Sequence, residues 1–144
     1  MKTILILGAG LSASSMIRYL LNHSSSENWK LRIVDRDINR VLELIGDNKN
    51  AEALDFNASD SKERIPEIKK ANLIISMLPA RFHIDVAEDC ISLGKNLITP
   101  SYISPEMKAL NQKAIDAGIV IMNEIGVDPG IDHMSAMKII DKIK

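Results

Sequence analysis

Cysteine is almost absent: Cys90 is the single one in 144 residues. A lone thiol excludes an intramolecular disulfide framework and fits a reducing compartment. Its neighbours Val86, Ala87 and Ile91 read as the core face of a helix, so a packed thiol is expected rather than a reactive one. An excess of charge of either sign is missing too. The 18 Lys and Arg against 19 Asp and Glu leave a formal net charge of −1, with no basic stripe for a nucleic acid. No apolar run approaches the roughly 20 residues that a membrane-spanning helix needs. Internal repeats, linkers and low-complexity segments are also lacking; Ser24–Asn28 is only a polar connection. Lys2 and the apolar residues after it imitate an export signal. Gly8 breaks that run, however, and the amphipathic stretch that follows carries Arg18, so the expectation is a cytoplasmic protein. At this length the chain reads as one domain, residues 1–144, large enough for a proper core.

What is present begins at the first residues. Lys2-Thr-Ile-Leu-Ile-Leu7 is a short apolar strand running into Gly8-Ala-Gly-Leu-Ser-Ala13, a Gly-x-Gly-x-x-Ala fingerprint. Gly8 allows the tight turn, Gly10 lets the backbone approach a pyrophosphate, and Ala13 is small enough for helix to pack closely on strand. Free N–H groups and the dipole at the helix start then hold phosphates. A second strand, Lys30-Leu-Arg-Ile-Val-Asp35, ends in an acid suited to the adenosine ribose hydroxyls. The same carboxylate repels a 2′-phosphate, which favours NAD and leaves NADP as the alternative. Arg36 can stack on adenine, partly offset a 2′-phosphate, or be a solvated loop charge.

Further along, apolar strands alternate with helical patterns. Ile38, Val41, Leu42 and Ile45 share one helical face, and Gly46 ends it. Ala51–Phe56 reads as a third strand. Ser59–Ala71 is charged and carries Pro66, so a broken or late-starting helix is expected there. Asn72–Pro79 is a fourth strand ending in a turn, followed by a helix from about Phe82 to Leu93 closed by Gly94. Asn96–Thr99 is a fifth strand. A helix from Ser104 to Ala117 has Ser104 as N-cap, Pro105 at its first position and Gly118 after it. Ile119–Asn123 is the sixth strand, and a last helix runs from about Asp132 to the end. Such alternation predicts an α/β fold, a Rossmann-type doubly wound six-stranded parallel sheet with helices on both faces and strand order 3-2-1-4-5-6.

The sixth strand feeds Asn123-Glu-Ile-Gly-Val-Asp-Pro-Gly-Ile-Asp-His133, two Gly and a Pro among carboxylates, an Asn and a His. Ligands of open parallel sheets bind outside the carboxyl ends of the strands, where this run falls. It closely resembles the Asn-Glu-Ile-Gly-Leu-Asp-Pro-Gly-Ile-Asp-His stretch of the glutamate-forming saccharopine dehydrogenases, also called saccharopine reductases, with Val127 in place of Leu. Resemblance extends to Ile74-Ile-Ser-Met-Leu-Pro79 with His83, to Ala87-Glu-Asp-Cys90, to Gly94-Lys95 and to Ser101-Tyr-Ile-Ser-Pro105.

That resemblance implies the N-terminal nucleotide-binding domain of an NAD(P)-dependent oxidoreductase of lysine metabolism. The family oxidises saccharopine at its secondary amine; hydrolysis of the imine gives glutamate and aminoadipate semialdehyde, or the sequence runs in reverse. On the cofactor side it implies Gly8, Gly10, Leu11, Ser12, Ala13, Asp35, Arg36, Asp55, Leu78, Pro79, Val127 and Pro129. Toward an amino diacid substrate it implies Ser101, Tyr102 and Asp128, and it leaves the catalytic acid and base unassigned. Asp128 can pair with an ammonium, while Ser101 and Tyr102 can donate to a carboxylate.

Plainer roles stand beside these. Ser101 can help to cap the next helix, Tyr102 can be packing, and Asp55 can form a turn. Asp132 reads as the N-cap of the last helix, His133 as structural with proton donor as the alternative, and Glu124 as either a substrate contact or a local hydrogen-bond partner. His83 and His23 read as ordinary helix or loop residues. Family enzymes continue into a substrate domain, so the chain is expected to be part of a longer enzyme and inactive alone. Alternatives are a dehydrogenase of another secondary amine, such as a carboxylated polyamine, or a non-catalytic NAD-binding module. Met134, Met137, Ile140 and Ile143 recur on one side of the last helix, a surface through which a homodimer can form.

Overall fold

The computed structural model describes residues 1–143. Six parallel strands form one sheet in the order β3-β2-β1-β4-β5-β6. The strands are β1 (Lys2–Leu7), β2 (Trp29–Val34), β3 (Ala51–Leu54), β4 (Leu73–Ser76), β5 (Asn96–Ile98) and β6 (Ile121–Met122). Between them lie α1 (Ser14–His23, preceded by a 3₁₀ turn at Leu11–Ala13), α2 (Ile38–Ile45), α3 (Ser61–Lys70) and α4 (His83–Leu93). The last three helices are α5 (Pro105–Ala109), α6 (Asn111–Asp116) and α7 (Ile131–Ile143). The expected class, strand order and covering helices are all present.

The pleat of β1 divides the core in two. Side chains alternate across a strand, so Ile4 and Ile6 join Ile17 and Leu21 of α1, Val41 of α2 and Leu31 and Ile33 of β2. Leu5 and Leu7 enter the opposite layer with Ile68 of α3, Val86 and Cys90 of α4, and Met107 and Leu110. Each fully buried aliphatic side chain contributes about 1.5–3 kcal/mol. This two-sided burial is why β1 lacks a polar alternation and reads as a continuous apolar run. Cys90 is fully buried, as expected, and burial pushes its thiol up to about 12.

Two helices depart from the sequence pattern. Pro66 does not break or delay α3, which runs from Ser61 to Lys70 with the proline inside. Its first turn is held from outside: the Asp60 side chain accepts from the Lys62 N–H at 2.9 Å, and the Arg64 N–H reaches the Asp60 carbonyl at 2.9 Å. Buried Arg64 and Ile68 then pin the segment on both sides of the proline. In contrast, the stretch expected as one helix over Ser104–Ala117 divides at Leu110. There the N–H bonds the Met107 carbonyl, three residues back, at 3.1 Å. Burial of Met107 and Leu110 in the same layer as α4 holds the resulting bend. Ser104 does cap α5, accepting from the Met107 N–H at 3.1 Å, with Pro105 at the first position.

Buried Arg64 is the largest side chain withdrawn from solvent. It donates from Nε and Nη2 to Asp89 Oδ2 at 2.9 and 2.6 Å, and from Nη1 to the Ala58 carbonyl at 2.8 Å. These bonds tie α3 to α4 and to the loop after β3. α7 differs from every other long helix in burying nothing; Met134, Met137, Ile140 and Ile143 are all exposed. Its expected continuation to Lys144 lies outside the described residues. Among the described residues no helix is long and apolar enough to cross a membrane.

Candidate functional site

The carboxyl ends of the strands carry two adjoining depressions. The first is a cleft of about 280 Å³ over β1, β2 and β4, lined by Gly8, Gly10, Asp35, Arg36, Leu78 and Pro79 among others. Gly8 has φ +100°, and a Cβ there would lie 3.0 Å from the Met77 carbonyl oxygen, so the turn under the cleft requires glycine. Gly10 is different. Its φ is −59°, and a Cβ would meet nothing within 4 Å; its missing side chain leaves open space above the turn. Among the described residues the N–H groups of Gly10, Leu11 and Ser12 have no backbone acceptor. An anion of phosphate type fits this arrangement of free donors.

Asp35 is drawn into the turn itself. Its Oδ2 accepts from the Ala9 N–H at 2.6 Å, and its Oδ1 accepts from the Asp37 N–H at 3.1 Å. The carboxylate thus fixes the glycine turn to the end of β2 while facing the cleft. Arg36 beside it is exposed and lines the same cleft. Arg40, one turn into α2, reaches Ser14 Oγ on α1 at 3.4 Å and keeps a buried Nε without a partner.

Other positions fall less centrally. Ala13 is fully buried under α1, as close helix packing requires. Ser12 is exposed, and Leu11, 84 % exposed, borders a separate groove between α1 and α2. Asp55 is exposed and outside the cleft lining; Phe56, Asn57, Ala58 and Ser59 of the same loop line it instead. Arg81 and Phe82 after β4 complete that wall, with the Arg81 guanidinium 4.7 Å from the centre of the Phe82 ring. Sequence reading passed over these six residues, although their place after the third and fourth strands was the available signal.

The second region lies over β5 and β6, where Ser101, Tyr102, Asp128 and Pro129 border one open depression. Tyr102 donates its O–H to Asp128 Oδ1, and this bond holds the phenol above its usual pKa. Tyr102 is 61 % exposed, so packing is not its role. Glu124 anchors the floor as a local partner: with φ +61°, it accepts the Ile103 N–H on Oε1 at 3.1 Å, and its own N–H bonds the Ser101 carbonyl at 3.1 Å. Pro129 is buried beneath, whereas Val127 is 72 % exposed on the same loop. Gly130 has φ +145°, and a Cβ there would sit 2.1 Å from the Gly126 oxygen, so only glycine closes this loop on itself.

Two expectations are corrected here. Asp132 is not the N-cap of α7; the helix starts at Ile131, and Asp132 inside its first turn accepts the Gly130 N–H at 2.8 Å. His83 lies in a helix, as expected, but it is not an ordinary helix residue. It is 2 % exposed at the start of α4, with Nδ1 3.0 Å from Ser76 Oγ and Nε2 2.9 Å from Ser101 Oγ. Burial holds its pKa below the usual histidine value. Ser101 therefore bonds a histidine and does not cap α5. No local pattern marks His83, because its partners arrive from two different strand ends. His133 is exposed and pairs with Asp132 at 3.3 Å, and His23 bonds the Tyr19 carbonyl at 2.8 Å.

A glycine-turn cleft at the switch between β1 and β4, with a second depression over the next two strands, is the arrangement of a dinucleotide-binding Rossmann domain. Residues 4–122 match the family model described as the saccharopine dehydrogenase NADP binding domain, and the chain belongs to this family. It is 37% identical over 144 residues to the mitochondrial alpha-aminoadipic semialdehyde synthase of Bos taurus, covering 99% of this chain and 15% of that protein. Against the saccharopine dehydrogenase [NADP(+), L-glutamate-forming] of Pyricularia oryzae it is 34% identical, covering 99% of this chain and 31% of that protein. The solved structure of apo saccharopine dehydrogenase (L-Glu forming) from Saccharomyces cerevisiae superposes with a TM-score of 0.86 at 31% identity, over 99% of this chain and 31% of that one. The chain thus spans a third or less of the relatives it matches.

Proposed function

We propose that residues 1–144 form the nucleotide-binding domain of an oxidoreductase that interconverts saccharopine with glutamate and aminoadipate semialdehyde. The observation that carries this is the placement of Ser101, Tyr102 and Asp128 over β5 and β6, next to a cleft built from Gly8, Gly10 and Asp35. A dinucleotide lying across the strand ends has its phosphates on the glycine turn and its nicotinamide toward β4 and β5. An amino diacid then meets a hydroxyl at Ser101 and a carboxylate at Asp128, which suit its carboxylate and ammonium groups. The cofactor supplies the hydride chemistry; the domain aligns its partners. A substrate-binding part completes the site, and the exposed apolar side of α7 is the surface assigned to contact it. Self-association through that same side in sedimentation would instead favour a homodimer. A cytoplasmic placement rests on the single buried Cys90; relatives include mitochondrial enzymes.

Between the two dinucleotides, the geometry supports NADP(H). Each Asp35 oxygen already accepts a backbone N–H, which offsets its charge, while Arg36 brings a guanidinium to the cleft. Titration of the chain with NADPH and NADH by calorimetry tests this. NADPH binding that weakens roughly tenfold in Arg36→Ala, with NADH unchanged, is expected for one lost charge-assisted bond. NADH bound as tightly as NADPH, with no response to Arg36→Ala, would return the preference to NAD. Binding of neither would remove the dinucleotide reading for the isolated domain.

A further inference from the structure

The bonds from Ser76 through His83 to Ser101 have a direction, and burial sets it. Ser76 Oγ is fully buried, and its one partner among the described residues is His83 Nδ1 at 3.0 Å. Were the ring to donate from Nδ1, the Ser76 hydroxyl proton would remain in the core with no acceptor, which an interior disfavours. When Ser76 donates to Nδ1, both the buried Ser76 hydroxyl and the ring nitrogen are satisfied. The ring is then neutral with its proton on Nε2, and Nε2–H donates to Ser101 Oγ at 2.9 Å. A hydroxyl that accepts from the ring keeps its own proton for another partner. Tyr102, beside it, has already committed its O–H to Asp128.

We propose that His83 is a positioning residue that makes Ser101 a hydrogen-bond donor toward a carbonyl or carboxylate oxygen of the bound ligand. The neutral ring agrees with its burial, which holds the pKa below the ordinary histidine value. A cationic ring would donate at both nitrogens and reverse the Ser76 bond. The inference deepens the proposed function and rests on it for the ligand: the acceptor is the nicotinamide carboxamide or a substrate carboxylate. It also explains why a histidine lies on the floor of a site without being open to it. Its task is to polarise one half-buried hydroxyl at the edge of the depression.

The ring is tested first without ligand, so the result does not depend on the function proposed above. Nitrogen-15 NMR of the chain, with His83→Gln to assign the signal, should show the neutral Nε2–H tautomer at neutral pH. Ser76→Ala should shift the ring toward a tautomer mixture, Ser76→Thr should restore it, and His23 and His133 should stay unchanged. An Nδ1–H or cationic ring at His83 would overturn the proposal. The ligand arms compare NADPH with 2′-phospho-ADP-ribose, which lacks nicotinamide, and with saccharopine. A roughly three- to tenfold weaker NADPH affinity in Ser76→Ala, with 2′-phospho-ADP-ribose unchanged, identifies the carboxamide as acceptor. Both affinities unchanged, with the Ser101 amide losing its response to saccharopine, identifies the substrate carboxylate. Equal weakening of both nucleotides, or no change in any response, would reduce His83 to a structural role and sink the idea. Failure of the parent chain to bind any dinucleotide would count against the proposed function while leaving the tautomer result standing.

Discussion

The two fingerprint glycines should fail in opposite ways when each is replaced by alanine. At Gly8, φ +100° is a conformation that an L-residue resists, and the new Cβ would be 3.0 Å from the Met77 oxygen and 3.1 Å from the Met77 carbonyl carbon. Neither backbone atom can yield without moving the end of β4. Gly8→Ala is therefore expected to cost about 1–3 kcal/mol. For a domain of this size that lowers the melting temperature by roughly 3–10 °C. At Gly10 the backbone is already right for alanine and the methyl has open space. Gly10→Ala should leave the free protein as stable as the parent, or about 0.4–1 kcal/mol more stable through the unfolded chain. On the proposed function, the methyl would fill the open space above the turn where a pyrophosphate meets its N–H groups. Losing one such charge-assisted bond weakens binding roughly tenfold to a hundredfold. Thermal melts of both variants, with and without saturating NADPH, separate the effects, because a ligand that binds only the folded state raises the midpoint. Gly10→Ala melting several degrees low, or gaining the parent's full stabilisation from NADPH, would refute the assignment of that space to the phosphates.

Breaking the buried Arg64–Asp89 pair with Arg64→Leu leaves a carboxylate and the Ala58 carbonyl without their donor, and should cost about 3–5 kcal/mol by urea unfolding. Adding Asp89→Leu should recover part of that loss, and no recovery would show that packing around Arg64 dominates. Cys90, fully buried with its thiol raised to about 12, should resist iodoacetamide in mildly alkaline buffer until the chain unfolds; rapid native labelling would contradict the packed thiol. Burial holds the folded His83 pKa below the ordinary histidine value of about 6.5, so the unfolded chain takes up its proton first as pH falls. Stability from this residue is thus fully present above about pH 6.5 and declines as pH drops through the folded value. In His83→Gln that component of the acid slope in urea midpoints should vanish, and an unchanged slope would exclude it.

Much of the fold is legible because its signals are local. The fingerprint at Gly8–Ala13, the boundaries of α2 at Ile38 and Gly46, and the cap at Ser104 each depend on residues within one or two turns of chain. Reading fails where a distant partner outweighs a local preference. Pro66 reads as a helix breaker, yet the helix continues because Asp60 holds the first turn and Arg64 and Ile68 are anchored in the core. Apolar spacing over 104–117 suits one helix, but burial of Leu110 is met by a bend.

By itself the sequence determined the parallel α/β order, the glycine turn and an acid at the end of β2, since turn conformation and strand period are properties of neighbouring residues. It also determined that Ser101, Tyr102 and Asp128 would be found at strand ends. Only the tertiary structure decided what those groups do to one another. Asp35 bonds Ala9 across 26 residues, His83 joins Ser76 to Ser101 across 7 and 18, and Tyr102 meets Asp128 across 26. Hydrogen bonds act over about 3 Å, so such pairings exist only once the sheet has brought its strand ends side by side.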